Sequence, residues 1–353
     1  MNFIVNGYNV FIIILTTFLT SLILTHLMIK ISKNMNIMDI PNERSVHKKP
    51  TPLLGGIAIF LSFLFGFILF GNQNPLMISI LIASFLILLL GIFDDIKPIK
   101  ARYKFVIHIL VALIVVFYGG LKLTHVDIFS LSLNFKWMSP YITILIIVGI
   151  INAVNLIDGL DGLCAGISSI YFLTIGVIAL ILNKFNGLDI ILSFIMLGAT
   201  LGFLVFNYPP AKIFMGDTGS TFLGLMISVI MLLGFKTVTL TSLLIPLVLL
   251  ILPITDTLFA IIRRALNKKP IGQADKEHIH HQLLKHLSTR KTILVIYVVD
   301  LIFSVVSIFY AIGKKKEMII FYILLMFILL YLVFKTNVIF KKKENKKQWK
   351  FAY

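Results

Sequence analysis

Two neighbouring carboxylates stand where an apolar run of the sequence ends. Asp94 and Asp95 close that run, and Lys97, Lys100 and Arg102 follow them. Carboxylate oxygens are ligands for Mg²⁺. The enrichment of basic residues on one side of a membrane gives no reason for acidic residues there. The pair therefore predicts either a metal site or ion pairs with the basic residues that follow, and the sequence leaves both open.

A second polar series ends a later apolar run. Asn152, Asn155 and Asp158 are three residues apart, so a helix places them roughly on one stripe. Asp158 and Asp161 each precede a glycine, which suggests a helix that breaks at the membrane edge. Irregular backbone at that depth is tolerated where it lines a cavity. Because polar groups are costly in a bilayer, this stripe favours function over a purely structural role.

A third acidic residue lies between two glycines just before another apolar run. Asp217 follows Gly216 and precedes Gly219 by two positions. Backbone N–H groups at a helix start bind anions, and Asp217 could hold a metal ion beside them. The alternative is that Asp217 only caps the next helix, and both roles can hold together.

A histidine cluster follows the ninth apolar run. His278, His280 and His281 fall within four positions, after Arg264 and its neighbour. Three histidines could ligate zinc, but no cysteine or regular spacing accompanies them. Contact with phosphate or proton transfer is equally open to such a cluster.

Basic residues also precede the second apolar run. Lys48 and Lys49 follow Arg44 and His47, and all four offer donors suited to phosphate oxygens. Alone, this segment is explained as well by a charged loop on the inner side of a membrane.

The elements that must position these residues are membrane helices. The chain has 353 residues, is 59% hydrophobic and only 13% charged, and has a mean hydropathy of +1.01. Apolar runs of about 18 or more residues can span the hydrocarbon core. We therefore predict an all-α polytopic membrane protein, with residues 1–353 as one integral membrane catalytic domain and 336–353 as a basic tail. The eleven predicted spans are 9–29, 53–71, 76–93, 105–120, 140–156, 163–183, 188–206, 220–235, 241–262, 292–312 and 318–335.

The distribution of basic residues predicts the orientation. With the N-terminus outside, 25 of the 32 Lys and Arg residues fall in inner segments and 7 in outer ones. The C-terminus is then cytoplasmic, and nearly all polar clusters lie on the cytoplasmic face. The net charge of +17 could suit nucleic acid, but no nucleic-acid-binding motif lies among the spans. We expect no nucleic-acid partner.

Together the clusters indicate phosphoryl transfer. Magnesium prefers one or two carboxylates with water and phosphate oxygens, while Arg and His neutralise further phosphate charge. The membrane setting suggests that one substrate is a lipid. A transporter of lipid-linked glycans is the non-enzymatic alternative, but it should place ionisable residues near the bilayer midplane. Asp300 is the main residue found there.

At this point the motifs resemble a family, the polyprenyl-phosphate N-acetylhexosamine-1-phosphate transferases. The resemblance covers about residues 10–312, with the motifs in family order. It implies transfer of a sugar phosphate from a UDP-sugar to undecaprenyl phosphate in the bacterial inner membrane, with Mg²⁺ or Mn²⁺. The motifs that carry it are Asp39–Gly56, Phe93–Asp95, Asn152–Leu163, Phe214–Ser220 and Glu277–His281.

The same resemblance implies roles for individual residues. Asn155 and Asp217 match the magnesium ligands. Asp94 and Asp95 match an acidic pair near the lipid phosphate, and Asp158 matches a carboxylate on the nucleotide side. Asp161 is expected beside Asp158 on the nucleotide side. Nucleotide, sugar or diphosphate contacts are expected from Lys48, Lys49, Asn152, Gly216, Arg264, His278, His280 and His281. The predicted catalytic residues are Asp94, Asp95, Asp158, Asp161, His280 and His281.

Within the family, the late motif favours one branch. Ile279 separates His278 from His280, which resembles the motif of the branch that uses UDP-GlcNAc. In the peptidoglycan branch the corresponding three histidines are contiguous. The expected reaction gives undecaprenyl-diphosphate-GlcNAc and UMP, the first membrane step of an envelope glycan such as teichoic acid or O-antigen. The alternative is a phospho-MurNAc-pentapeptide transferase of peptidoglycan synthesis. A Pro-Asp-Arg run that often precedes the histidines is absent. A homodimer, and a covalent intermediate in place of direct attack aided by Asp94, are left open.

Overall fold

A computed structural model gives the structure of the protein. It describes residues 3–41, 49–72, 74–128, 131–182, 187–234, 255, 264, 279–285, 287–313, 317–325 and 327. The numbered helices are α1 Val10–Asn34, α2 Gly55–Phe70, α3 Pro75–Ile96, α4 Ala101–Leu113, α5 Ser139–Ile157, α6 Leu163–Ile181, α7 Leu188–Asn207, α8 Gly216–Gly234, α9 Ile279–Leu284 and α10 Thr289–Ala311. A π-helical turn, Ile114–Tyr118, extends α4.

Three short antiparallel pairs of strands accompany the helices. They are β1 Ile4–Val5 with β2 Tyr8–Asn9, β3 Met38–Asp39 with β4 Thr51–Pro52, and β5 His125–Ile128 with β6 Leu131–Asn134. All three lie in connections at helix ends. The described part of the chain is therefore built from helices, as the prediction of an all-α protein requires.

Eight of the described helices are long and apolar enough to cross a membrane, and α2 is a shorter apolar helix of 16 residues. These helices make the chain a multi-pass membrane protein. The predicted run 318–335 is helical over residues 317–325, beyond which only 327 is described. The run 241–262, apart from Thr255, and the tail 336–353 lie outside the described residues, so the count of eleven stays a prediction.

Helix starts follow from local side-chain chemistry. Asn9 precedes α1 and accepts a hydrogen bond from the backbone N–H of Phe11. Asn74 does the same for Met77 at the start of α3, where Pro75 occupies the first helical position. These residues satisfy N–H groups that the first turn of a helix leaves without partners.

The burial of the helices separates a centre from a periphery. In α6 and α7, 78% of the apolar window is buried, and in α8 83%, against 28% in α1 and in α4. Large apolar side chains such as Phe11, Leu15 and Ile23 remain exposed on α1. In a membrane protein such a face meets lipid, so α6, α7 and α8 form the interior that the outer helices surround.

One acid lies inside the bundle, away from the polar clusters. Asp300 is fully buried in α10, and neither of its carboxylate oxygens has a hydrogen-bond partner among the described residues. Ser304, one turn later, exchanges a hydrogen bond of 2.5 Å with Thr174 of α6. The interhelical polar contact of α10 at this level is therefore made by Ser304.

Candidate active site

Four helix ends meet at one end of the bundle. Helices α3 and α5 end there, and α4 and α8 begin there. Because the helices alternate in direction, residues distant in sequence come together: Asp94 and Asp95 from α3, Asn155 from α5 and Asp217 from α8. Their spacing is close enough that one ligand atom each from Asp94, Asp95 and Asp217 lies within 4.8 Å of the others.

Asp95 caps helix α8 from a neighbouring helix. Its Oδ1 accepts a hydrogen bond from the backbone N–H of Asp217 at 2.8 Å. Its Oδ2 accepts from the Thr218 backbone N–H at 3.3 Å and the Thr218 hydroxyl at 2.6 Å. The anion-binding start of α8 that the sequence predicted thus holds the carboxylate of Asp95.

Gly216 makes this cap sterically feasible. Its φ is +65°, a conformation that glycine adopts without strain. A β-carbon at this position would lie 2.3 Å from Asp95 Oδ2. Gly216, predicted as a binding residue, therefore admits the Asp95 carboxylate to the start of the helix.

Asp94 points to a different partner. Its Oδ1 accepts from the backbone N–H of Ile99 at 2.7 Å, and its Oδ2 lies 2.7 Å from Lys104 Nζ. The same ammonium lies 2.6 Å from Asp217 Oδ2. Among the described residues Asp94 therefore forms its ion pair with Lys104 of α4, and not with Lys97, Lys100 or Arg102, the partners that the sequence offered.

Asn155 and Asp217, the expected metal ligands, are in contact. The side-chain nitrogen of Asn155 donates to Asp217 Oδ1 at 3.1 Å and to the Ser220 hydroxyl at 2.9 Å. Asn155 thereby fixes the first turn of α8 against the end of α5. The amide oxygen of Asn155 remains a chemically suitable ligand beside the carboxylates.

The remaining members of the Asn-Asp series have separate surroundings. Asn152 donates to the backbone carbonyl of Val148 at 2.7 Å, and its amide nitrogen lies 3.4 Å from His108 Nδ1. Asn152 thus lies between α5 and α4, one turn deeper in the bundle than Asn155.

Asp158 immediately follows α5, outside the membrane-spanning segments. Burial, followed by the nearby carboxylates of Asp217, Asp95 and Asp161, raises the pKa of Asp158 well above its usual value. The predicted role of Asp158 on the nucleotide side stays a prediction.

Asp161 holds two loops together. Its Oδ2 accepts from the backbone N–H of Ala211 at 2.9 Å. The next residue, Gly162, donates to Asn207 Oδ1 at 2.9 Å, and its carbonyl accepts from the Tyr297 hydroxyl at 2.5 Å. These bonds join the loop after α5 to the end of α7, to the residues that follow it and to α10, and the catalytic role of Asp161 stays a prediction.

Four of the predicted contact residues lie outside the described part of the chain, wholly or with their side chains. Lys48 and His278 lie outside the described residues, as do the side chains of His280 and His281, whose backbone belongs to α9. Lys49 is exposed, and Arg264 is buried with 8% of its surface accessible. Their predicted roles toward nucleotide or diphosphate stay predictions.

Neither Lys104 nor its helix neighbour His108 is among the site residues that the sequence predicted. The two are four residues apart, and therefore on one face of α4. His108 is buried, and its Nε2 has no hydrogen-bond partner among the described residues. Lys104 and His108 on one face of an otherwise apolar helix are the sequence pattern that could have predicted contact between this face and the other polar clusters.

The donor set fits a hard divalent cation. Three carboxylates and a neighbouring amide supply only oxygen ligands, and the ligand atoms converge from α3 and α8. Mg²⁺ takes oxygen ligands at about 2.1 Å and keeps some positions for water and phosphate. A cation of this class could therefore be held by Asp94 and Asp217, with Asp95 or Asn155 beside them.

Asp95 allows a test of the helix cap that is independent of catalysis. Asp95→Ala should lower the free energy of unfolding by about 1–3 kcal/mol, because it leaves the N–H groups of Asp217 and Thr218 without an acceptor. Thermal unfolding in detergent without divalent metal measures the effect. Asp95→Asn keeps one acceptor oxygen and should lose less. An alanine variant as stable as the unaltered protein would contradict the assigned cap.

The fold and the site together define a class: polytopic membrane proteins with an acidic, cation-fitting centre at one end of the helical bundle. Comparison with known proteins specifies the class. Residues 77–235 match the family model described as Glycosyl transferase family 4. That range contains Asp94, Asp95, Asn155 and Asp217.

Curated relatives extend the match beyond that range. A probable undecaprenyl-phosphate N-acetylglucosaminyl 1-phosphate transferase of Bacillus subtilis is 44% identical over 299 residues, 83% of each chain. A decaprenyl-phosphate N-acetylglucosaminephosphotransferase of Mycobacterium tuberculosis is 30% identical over 76% of this chain and 74% of its own length. A phospho-N-acetylmuramoyl-pentapeptide-transferase of Halalkalibacterium halodurans is 33% identical over 74% and 84%. The chain belongs to glycosyl transferase family 4, the polyprenyl-phosphate N-acetylhexosamine-1-phosphate transferases.

Proposed function

We propose that the protein transfers GlcNAc-1-phosphate from UDP-GlcNAc to undecaprenyl phosphate, giving undecaprenyl-diphosphate-GlcNAc and UMP. The observation that carries the proposal is the oxygen-only cluster of Asp94, Asp95 and Asp217 at the ends of membrane helices. The similarity to the Bacillus subtilis transferase supports the choice of lipid and sugar. A site at the end of the bundle can receive a lipid phosphate from the bilayer and a soluble nucleotide sugar from water.

The reaction exchanges one phosphoanhydride for another. A phosphate oxygen of the lipid forms a bond to the β-phosphorus of UDP-GlcNAc, and the bond from that phosphorus to the bridging oxygen breaks, so UMP leaves with the electron pair. Bound Mg²⁺ would neutralise charge on the transferring phosphoryl group. Asp94 and Asp217 would hold the cation, Asn155 would orient Asp217, and Asp95 would fix the start of α8. Asp94 lies near the C-terminal end of α3, at the membrane boundary, where it could accept the proton of a monoprotonated lipid phosphate.

The topology proposed with this function has eleven spans, an outside N-terminus and a cytoplasmic site. The orientation is supported by the 25 basic residues on the inner side against 7 on the outer side. Lys33, Lys97, Lys100, Arg102 and Lys212 all lie at the end of the bundle that carries the acidic cluster. UDP-sugars are made in the cytoplasm, which is consistent with this direction.

The proposal is tested by release of UMP from the purified protein in detergent with undecaprenyl phosphate. UDP-GlcNAc with Mg²⁺ should give UMP and a lipid-linked sugar in equal amounts. EDTA should stop the reaction, and Mg²⁺ or Mn²⁺ should restore it. Absence of UMP from UDP-GlcNAc in a folded preparation with metal would refute the proposal.

A second candidate is the phospho-MurNAc-pentapeptide transferase, because a relative of that name is 33% identical. The isoleucine between His278 and His280 and the 44% identity to the Bacillus subtilis transferase favour UDP-GlcNAc. The same assay with UDP-MurNAc-pentapeptide separates the two, since only the correct nucleotide sugar should release UMP at a comparable rate.

A further inference from the structure

The ammonium of Lys104 lies between the two carboxylates best placed to hold a metal ion. Its Nζ is 2.7 Å from Asp94 Oδ2 and 2.6 Å from Asp217 Oδ2. The three side chains are partly buried, with 24%, 11% and 28% of their surface accessible for Lys104, Asp94 and Asp217. Partial burial strengthens ion pairs because water screens them less. The contact is therefore a feature of the site and not an exposed surface pair.

The third carboxylate has less freedom to serve as an alternative ligand. Asp95 already accepts three hydrogen bonds from Asp217 and Thr218. A divalent cation at this cluster would therefore take its carboxylate ligands mainly from Asp94 and Asp217, with the amide oxygen of Asn155 beside them. These are the same two residues that Lys104 contacts, so the ammonium and the metal ion draw on the same oxygens.

Two cations held by shared oxygens repel each other at short distance. Mg²⁺ also demands near-octahedral geometry at about 2.1 Å, which the longer contacts of an ammonium do not provide. Binding of the metal should therefore require Lys104 to give up at least one of its contacts. The free energy of the contacts that Lys104 gives up is therefore lost from the apparent metal affinity.

We propose that Lys104 is an internal counter-cation that stabilises the acidic cluster and competes with the divalent metal for Asp94 and Asp217. It acts as a positioning residue that limits metal affinity. The inference rests on the proposed metal-dependent function of the same site. A purely structural role predicts the opposite sign, because loss of the ammonium would let the carboxylates repel and would weaken the metal site.

The experiment measures binding of Mn²⁺ to the purified full-length protein in detergent by electron paramagnetic resonance, with Mg²⁺ as competitor. Lys104→Met should bind Mn²⁺ about tenfold more tightly, a difference of about 1.4 kcal/mol, because no internal cation must be displaced. Lys100→Met is the matched control: Lys100 is exposed and lies one turn earlier at the start of the same helix. Its affinity should stay within about twofold, because an exposed charge interacts weakly with the site.

Equal or weaker Mn²⁺ binding by folded Lys104→Met would overturn the proposal, as would absence of Mn²⁺ binding to the unaltered protein. Thermal unfolding without metal verifies that the variant is folded, and Lys104→Gln is a second neutral replacement. The unaltered protein provides an independent measurement: acylation of Lys104, followed by mass spectrometry, should become severalfold faster when Mg²⁺ is added, while Lys100 is unchanged. Unchanged or slower acylation of Lys104 would also overturn the proposal.

The outcomes separate this inference from the proposed function. Tighter metal binding by Lys104→Met together with absent UMP release from UDP-GlcNAc by the unaltered protein would leave the counter-cation role standing and refute the transferase proposal. Normal UMP release by the unaltered protein, together with unchanged metal affinity in Lys104→Met, would support the transferase proposal and refute the counter-cation role.

Discussion

Asp217→Ala is expected to lower UMP release by about a thousandfold or more. The metal ion of such a site contributes several kcal/mol of transition-state stabilisation, and each 1.36 kcal/mol corresponds to a factor of ten in rate. Asp217 is the residue on which the described contacts converge: Lys104 binds its Oδ2, Asn155 donates to its Oδ1, and its backbone N–H binds Asp95. Alanine keeps the backbone contact and removes both side-chain contacts.

The measurement should separate lost chemistry from lost structure. UMP release and Mn²⁺ binding are determined on the same detergent-purified protein, and both should fall together. Asp189→Asn is a suitable control, because Asp189 lies in the first turn of α7, near Gly234 at the opposite end of α8 from the site. Full UMP release by Asp217→Ala would show that the cluster does not hold the catalytic metal.

Hydropathy determines most of the helices because the bilayer allows few alternatives. Chains that cross it must satisfy their backbone hydrogen bonds internally, so long apolar runs become helices. The predicted bounds of a helix are wrong where the helix begins or ends with polar residues. Helix α8 begins at Gly216, four residues before the predicted span, because Asp95 from α3 caps a start that contains Asp217 and Thr218. No pattern within the run itself records that cap.

The acidic pair Asp94 and Asp95 shows that a sequence motif does not determine the partner of each of its residues. Adjacent residues on a helix point about 100° apart, so Asp94 and Asp95 face different partners although the sequence treats them as one motif. Asp94 meets Lys104, whereas Asp95 meets the start of α8. The contact between Asn155 and Asp217 brings together the two residues that the family resemblance implied as magnesium ligands, and that role stays a prediction.

The role of Lys104 at the site could not be predicted from the sequence, for a different reason. A basic residue at the inner end of a membrane helix is already explained by the positive-inside rule, so it leaves no residual signal for function. Only the packing of α4 against α3 and α5 shows that this particular lysine, unlike Lys100, reaches the acidic cluster. Tertiary structure therefore decides which basic residues belong to the site.

Gly91→Ala is expected to reduce UMP release by about a hundredfold or more without touching any predicted ligand. A β-carbon at residue 91 would lie 2.3 Å from the α-carbon of Thr218 and 2.5 Å from its nitrogen. Both are backbone atoms of helix α8, so no side chain can rotate away and the two helices must separate. Overpacking of this kind costs about 1–3 kcal/mol.

The separation acts directly on the site because Asp95 lies one turn after Gly91. Its hydrogen bonds to Asp217 and Thr218 cross the same helix contact, so they lengthen as the helices part. A displacement of about 1 Å can lower a catalytic rate roughly a hundredfold. The distance between Asp94 and Asp217 should increase as well, which predicts weaker Mn²⁺ binding alongside the loss of activity.

Gly149→Ala is the matched control for this substitution. Gly149 lies on α5, and a β-carbon there would have no atom within 4 Å. Because alanine favours helix over glycine by about 1 kcal/mol, this variant should be as stable as the unaltered protein or slightly more so, with full UMP release. The comparison isolates the contact between α3 and α8, since the chemical change is identical. Unimpaired UMP release and Mn²⁺ binding by Gly91→Ala would mean that the close approach of these helices does not set the geometry of the site.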